Sequence, residues 1–201
     1  MIDLVSIPER AQQKLPTASA VVADVIDAAR RIKEVVKHME KSHISGISKE
    51  KNVARLALVG LDDTPGIAFK IFFLLARSNI NVDIILQSIG RDGSKDISFT
   101  VTKNDMDRAR SVLEENKDSI RFGHIDVSDH IAKVSIMGAG MVNNPGVAAA
   151  MFEALFSAGV NINMISTSEI KVSVLVDLDD ADRAVQAIHN RFYNEFNSVR
   201  L

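Results

Sequence analysis

Apolar residues recur along this chain in two rhythms, steps of three and four and steps of two, and the succession comes twice. From Thr17 to Lys41, Val21, Val22, Val25, Ile26, Ala29, Ile32, Val35 and Val36 follow the helical rhythm, with Arg30, Arg31, Lys33 and Lys37 opposite. This predicts an amphipathic helix that packs on the body or on a partner. Ile44 to Ser48 is a short strand candidate, and Val53 to Gly60 reads as a buried strand. Pro65 is expected to open a helix as its first residue, with Ile67, Ala68, Ile71, Phe72, Leu74 and Leu75 inward and Asn79 at its end. Ile80 to Ile89 and Ile97 to Val101 read as strands joined by a turn at Arg91-Asp92-Gly93-Ser94. Asn104 or Asp105 is expected to cap a helix through Glu115, and Ile120 to Val127 to form a strand.

The same order returns. Ile131 to Met137 predicts a strand, Pro145 to Ala158 a helix stopped by Gly159, and Val160 to Ser166 and Ile170 to Val176 two strands. Asp179 or Asp180 should cap a helix through about Phe192. With Pro65 set on Pro145, positions 65–87 and 145–167 share seven identities: Pro65, Gly66, Ala68, Phe72, Leu75, Asn81 and Ile85 recur as Pro145, Gly146, Ala148, Phe152, Leu155, Asn161 and Ile165. This is a tandem duplication. Each copy reads strand–helix–strand–strand–helix–strand, the ferredoxin-like pattern. The expected fold is α+β, with two four-stranded antiparallel sheets, two helices on one face of each, and a preceding N-terminal helix. The second copy has no room for its last strand, since only Asn197 to Leu201 remain, so Ile44–Ser48 is expected to supply it. The expected division is an extension over 1–43, a first domain over 44–128 and a second over 129–201.

Composition narrows the chemistry. The 201 residues carry a net charge of −2 and no cysteine, and 46% are hydrophobic. Thiol chemistry and cysteine-based metal sites are excluded, and no basic block points to nucleic acid. No apolar run is long enough to span a bilayer. Residues 1–20 contain Asp3, Glu9, Arg10 and Lys14 and do not read as a signal peptide, so a soluble cytoplasmic protein is expected. The five histidines lack zinc-ligand spacing, and no phosphate-binding loop is present. Gly138-Ala139-Gly140 lacks the third glycine of a dinucleotide fingerprint, because Asn143 stands there. Asp177, Asp179 and Asp180 lack the rest of a calcium loop and read as helix-capping carboxylates. No serine has a recognisable paired base. No cofactor, metal site or catalytic constellation is expected.

The Pro-Gly turns remain. After Pro65, the N–H groups of Gly66, Ile67 and Ala68 should face outward at a helix start, where the dipole favours an anion. Asn81, Asp83 and Gln87, at alternate positions of the predicted strand, should share one face. Asp63 or Asp83 could take an ammonium, and Gln87 a hydrogen bond. An anion site beside a cation site outlines a free amino acid. The bland alternative is a tight turn at Pro-Gly and a local cap at Asn81.

Residues 39–196 resemble the regulatory region of aspartate kinase, a tandem pair of ACT domains. The resemblance is carried by Ile44-Ser45-Gly46-Ile47, Asp63-Thr64-Pro65-Gly66, Asn81-Val82-Asp83-Ile84-Ile85-Leu86-Gln87, Asp96-Ile97-Ser98-Phe99-Thr100-Val101 and Ile165-Ser166-Thr167-Ser168-Glu169-Ile170. It implies feedback control by lysine, threonine or both. Effector contacts would fall on Asp63, Gly66, Ile67, Ala68, Asn81, Asp83 and Gln87 in the first copy, and on Asn161, Ile162, Ser168 and Glu169 in the second. In the family such sites form where ACT domains of two chains meet, which implies a homodimer. The second turn, Asn143-Asn144-Pro145, has no acid where Asp63 stands, so an equivalent carboxylate site is not carried over to it.

The family's kinase domain has no counterpart here, since residues 1–38 do not resemble any part of it. The expectation is a regulatory chain without catalysis of its own, with an aspartate kinase catalytic subunit as candidate partner. The alternative is a stand-alone ACT-type dimerisation module without an amino-acid ligand.

Overall fold

The strand Ile131–Met137 has a neighbour on each side, and one of them comes from before the first repeat. The structure is a computed structural model that describes residues 44–89, 94–138 and 146–193. The expected N-terminal helix, the turn at 91–93, residues 143–145 of the second Pro-Gly turn and residues 197–201 lie outside the described residues. The described residues form one compact unit.

In chain order the elements are β1 (Gly46–Glu50), β2 (Ala54–Leu61), α1 (Ile67–Arg77), β3 (Ile85–Ile89), β4 (Lys95–Val101), α2 (Lys103–Glu115), the short α3 (Lys117–Ile120) and β5 (His124–Ser128). Then come β6 (Ile131–Met137), α4 (Val147–Ser157), β7 (Met164–Thr167), β8 (Lys171–Asp177), a 3-10 turn (Leu178–Asp180) and α5 (Ala181–Tyr193). The first sheet has the order β3-β4-β2-β5 and the second β7-β8-β6-β1, all antiparallel. Both are ferredoxin-like, as the doubled pattern predicts.

β1 takes in the second sheet the place that β5 takes in the first. Ser48 lies opposite Ser135, and the strand runs two residues later than expected. The shift has a cause in burial. Ile44 is drawn into the second core and the Ser45 N–H donates to the Met137 carbonyl at 2.7 Å, so the chain is anchored before the ladder starts. Lys49 within the strand and Lys51 just after it hold the Asp182 carboxylate at the start of α5. Their hydrogen bonds and charges keep that carboxyl below its ordinary 3.8.

Each sheet buries one face under its own helices. In the first repeat Leu56, Leu58, Ile97 and Phe99 meet Ile71, Leu75 and Leu113, with Phe72 edge-on to Phe99 at 5.7 Å between ring centroids. In the second, Val134, Ile136 and Val174 meet Met151, Leu155 and Ile188. A third cluster of Val53, Ile84, Ile131, Met164 and Leu175 joins the repeats across the opposite faces of the two sheets. Full burial of such side chains stabilises by about 1.5–3 kcal/mol each, so the repeats are fused by packing as well as by the shared strand.

Four local expectations are corrected. α1 begins at Ile67 and not at Pro65, because Gly66 is left-handed (φ 90°), which interrupts helical backbone. The strand expected from Ile80 starts only at Ile85: the Thr100 backbone and hydroxyl engage Asp83 and Ile84 first, at 3.0 Å each, so Asn81 and Asp83 precede the ladder. Thr102, not Asn104 or Asp105, is the cap residue of α2, and its hydroxyl donates to Asp105 at 2.9 Å. Ile120 ends α3, and Arg121 at φ 57° turns the chain before β5. At the start of α5, Asp179 and Asp180 sit in the 3-10 turn that leads into the helix.

Candidate functional site

The first-repeat turn is made by backbone rather than by a capping side chain. The Ile67 N–H donates to the Thr64 carbonyl at 3.2 Å, so one of the three N–H groups expected to face a ligand is used by the turn. No side chain caps the helix start at Gly66. A Cβ built on Gly66 would meet nothing within 4 Å, so the surface there is open. Asp63 lies three residues before Gly66 and is exposed, with its carboxylate 3.5 Å from the Lys95 ammonium. Ala68 packs against the first core from the first turn of α1.

The other first-repeat candidates divide. Gln87 lies on the exposed edge strand β3, opposite Ile97. Asn81 and Asp83 instead line a cavity of about 270 Å³ together with Thr100, Thr102, Glu50 and Lys133. Lys133 is only 7% exposed. Its ammonium donates to Asp83 and lies 2.6 Å from Glu50. Burial disfavours the charged ammonium, but hydrogen bonds to both carboxylates and their charge outweigh it, so its pKa stands above the ordinary 10.5. The cavity includes none of the second-repeat candidates. Asn161 and Ile162 lie in the approach to β7, where Ile162 packs against the second core. Ser168 and Glu169 form the turn into β8, closed by the Ser168 N–H on the Lys171 carbonyl at 2.8 Å.

Strand registers superimpose the repeats. Leu56 and Ile85 both pair with Phe99, and Val134 and Ile165 both pair with Val174. One position back, Arg55 faces Thr100 and Ser128 where Lys133 faces Leu175 and Glu50. Asp83 and Asn163 also correspond: the Asp83 N–H donates to the Thr100 carbonyl at 3.0 Å, and the Asn163 N–H to the Leu175 carbonyl at 2.8 Å. The counterpart of the Lys133 cavity measures about 630 Å³, with Arg55, Ser128, Asp129, Ile131, Asn163 and Asp177 among its lining residues. Lys133, Glu50 and Arg55 are not among the site residues expected from the sequence. A signal existed, since Lys133 and Arg55 are single cations inside otherwise apolar strand segments.

Among the described residues both sheets leave an apolar edge open. β3 exposes Ile85, Leu86 and Ile89, the last at 72%, and Ile165 on β7 and Ile170 beside it are exposed as well. Among the described residues no helix is long and apolar enough to cross a membrane, and no group of three metal-ligating side chains occurs.

The ACT domain family model matches residues 56–116 and 134–192. The chain is 43% identical over 156 residues to an aspartokinase of Mycolicibacterium smegmatis, covering 77% of this chain. It is 46% identical over 151 residues to an aspartokinase of Helicobacter pylori, covering 75% of this chain. It spans 37% of the length of each of these relatives. Among solved structures it is similar to the ligand-free regulatory subunit of aspartate kinase from Thermus thermophilus, at 37% identity and a TM-score of 0.70, covering 75% of this chain and 99% of that one. A structure of aspartokinase alpha and beta subunits matches at 44% identity and a TM-score of 0.70, covering 74% of this chain and 98% of that one.

Proposed function

Because this chain belongs to the ACT domain family, we propose that it is the regulatory part of an aspartate kinase and binds lysine or threonine for feedback control. The observation that carries this reading is the pair of exposed apolar edge strands. Among the described residues β3 and β7 are edge strands with exposed apolar side chains, a combination that soluble proteins cover by pairing. Two-fold pairing of the first repeat of one chain with the second repeat of another would cover both edges. The α1 turn of one chain would then face Asn161, Ile162, Ser168 and Glu169 of its partner. The amino-acid carboxylate would meet the N–H groups at Gly66 and Ala68, and its ammonium would meet Asp63. Binding across the contact would favour the dimer that forms the pocket. That preference limits the signal sent to a kinase catalytic part.

Calorimetry with lysine and with threonine tests the reading. One of them is expected to bind in the millimolar range or tighter, and light scattering should report a dimer. A charged hydrogen bond contributes about 1.5–3 kcal/mol, so Asp63→Ala or Gln87→Ala should weaken binding roughly ten- to a hundredfold. Lys95→Gln should not weaken it, because that change frees Asp63. If neither amino acid binds, or both loss variants bind as the parent does, the effector reading fails.

One observation favours the second reading, a dimerisation module without an amino-acid ligand. Asp63 and Asp83 already pair with Lys95 and Lys133 inside the chain. A dimer that persists while neither amino acid binds would support that reading.

A further inference from the structure

The two corresponding cavities between the repeats differ in their charge balance. In one, the Lys133 ammonium is held by Glu50 on the neighbouring edge strand and by Asp83 from the other repeat. In the other, the cation is Arg55, and both carboxylates are replaced: Ser128 stands where Glu50 does and Asn163 where Asp83 does. Among the described residues Arg55 makes no ion pair. The cavity around it is also the larger, about 630 Å³ against about 270 Å³. A partly buried guanidinium whose five donors enter no ion pair among the described residues, in a cavity with room beside it, is the chemistry of a carboxylate site.

The rest of the lining sets the other end of the ligand. Asp129 and Asp177 bring carboxylates to the same cavity, and Asn163 donates to Asp177 at 2.9 Å, which fixes that carboxylate in place. Ile131 and Leu175 supply an apolar wall from the cluster that joins the repeats. We propose that this cleft, within a single chain, is a second binding site for a small zwitterionic amino acid. The ligand carboxylate lies on Arg55 and its ammonium on Asp129 or Asp177. The site is separate from the effector site at the Gly66 turn: it shares no residue with it and needs no second chain.

The test uses the whole chain labelled with nitrogen-15 and titrated with L-alanine, with acetate and methylammonium as partial probes. L-Alanine is expected to shift the amides of Ser128, Asp129 and Asn163 with saturation in the millimolar range, unchanged on dilution of the protein. Acetate should bind several-fold more weakly, and methylammonium should leave these amides in place. Arg55→Gln should weaken L-alanine binding by about tenfold or more. The double variant Ser128→Glu/Asn163→Asp keeps Arg55 but rebuilds the carboxylate pair of the other cavity, and it should abolish binding by filling the site from within. Asp63→Ala should leave L-alanine binding unchanged, which separates this site from the effector reading. The proposal is overturned if L-alanine moves none of these amides, if acetate binds as well as L-alanine, or if the double variant binds like the parent.

Discussion

The Lys133 ammonium, on the central strand of the second sheet, donates to the Asp83 carboxylate of the first repeat. The cation is buried while both of its carboxylates are about half exposed, so the pair joins a dry face to a wet one. Breaking a fully buried pair costs roughly 3–5 kcal/mol. Here the stranded carboxylates can rehydrate, and Lys133→Ala should lose about 2 kcal/mol in urea denaturation. A cycle with Asp83→Asn should return a coupling of about 1–2 kcal/mol. Additive single effects would show that the contact does not couple the repeats.

The same lysine gives an alkaline signature. Its folded pKa lies above 10.5, so its contribution is fully present below that value and is lost as pH rises through the raised one. Unfolding free energy should therefore fall above pH 10.5, and Lys133→Met should flatten this fall. Asp182 acts at the other end. Its folded pKa lies below 3.8, so its contribution is present above 3.8 and lost as pH falls through the lowered value. Asp182→Asn should flatten the acid limb and leave the alkaline one alone.

Gly66 sits at φ 90° and Gly146 at φ 109°, with open space at each position where a Cβ would lie. An alanine at either site meets no clash and is opposed only by its backbone. Gly66→Ala should destabilise by about 1–2 kcal/mol, and Gly66→Asn by less. Equal losses for alanine and asparagine would contradict a backbone origin.

Ile44 belongs to the second core although it precedes the whole first repeat. Ile44→Ala removes a buried side chain, at a cost of about 2–5 kcal/mol. Hydrogen exchange should show the loss mainly in β6 and β8 and much less in β2 and β4. A uniform loss across both sheets would mean that the repeats open together.

The periodicity of the chain makes the two sheets legible, because each strand and helix carries its own apolar stripe. The exchanged strand is legible as a surplus: Ile44–Ser48 precedes a first repeat that already supplies four strands of its own, and β1 is found beside β6. What periodicity does not carry is the hydrogen bonding of single residues. The Thr100 hydroxyl takes the Ile84 N–H and so delays β3, which moves Asn81 and Asp83 off the strand expected to align them with Gln87. Nor does a one-chain pattern reveal that Lys133 in one repeat answers Asp83 in the other. That contact depends on how two sheets face each other, and its only trace in the sequence is a charge inside an apolar run.

The exchange of β1 has a consequence for synthesis. On a ribosome β1 is made first, but β6 follows only about eighty residues later. At roughly 5–20 residues per second this is a delay of roughly 4–16 seconds. During it the first sheet can close completely, while the second repeat's outermost strand waits upstream with its backbone unsatisfied. Nascent molecules on one message therefore pass through an interval in which a free strand from one can meet the unfinished sheet of another. Lys49 and Glu50 place charge of both signs at the end of that strand, a composition that discourages such trespass while the proper partner is still being made.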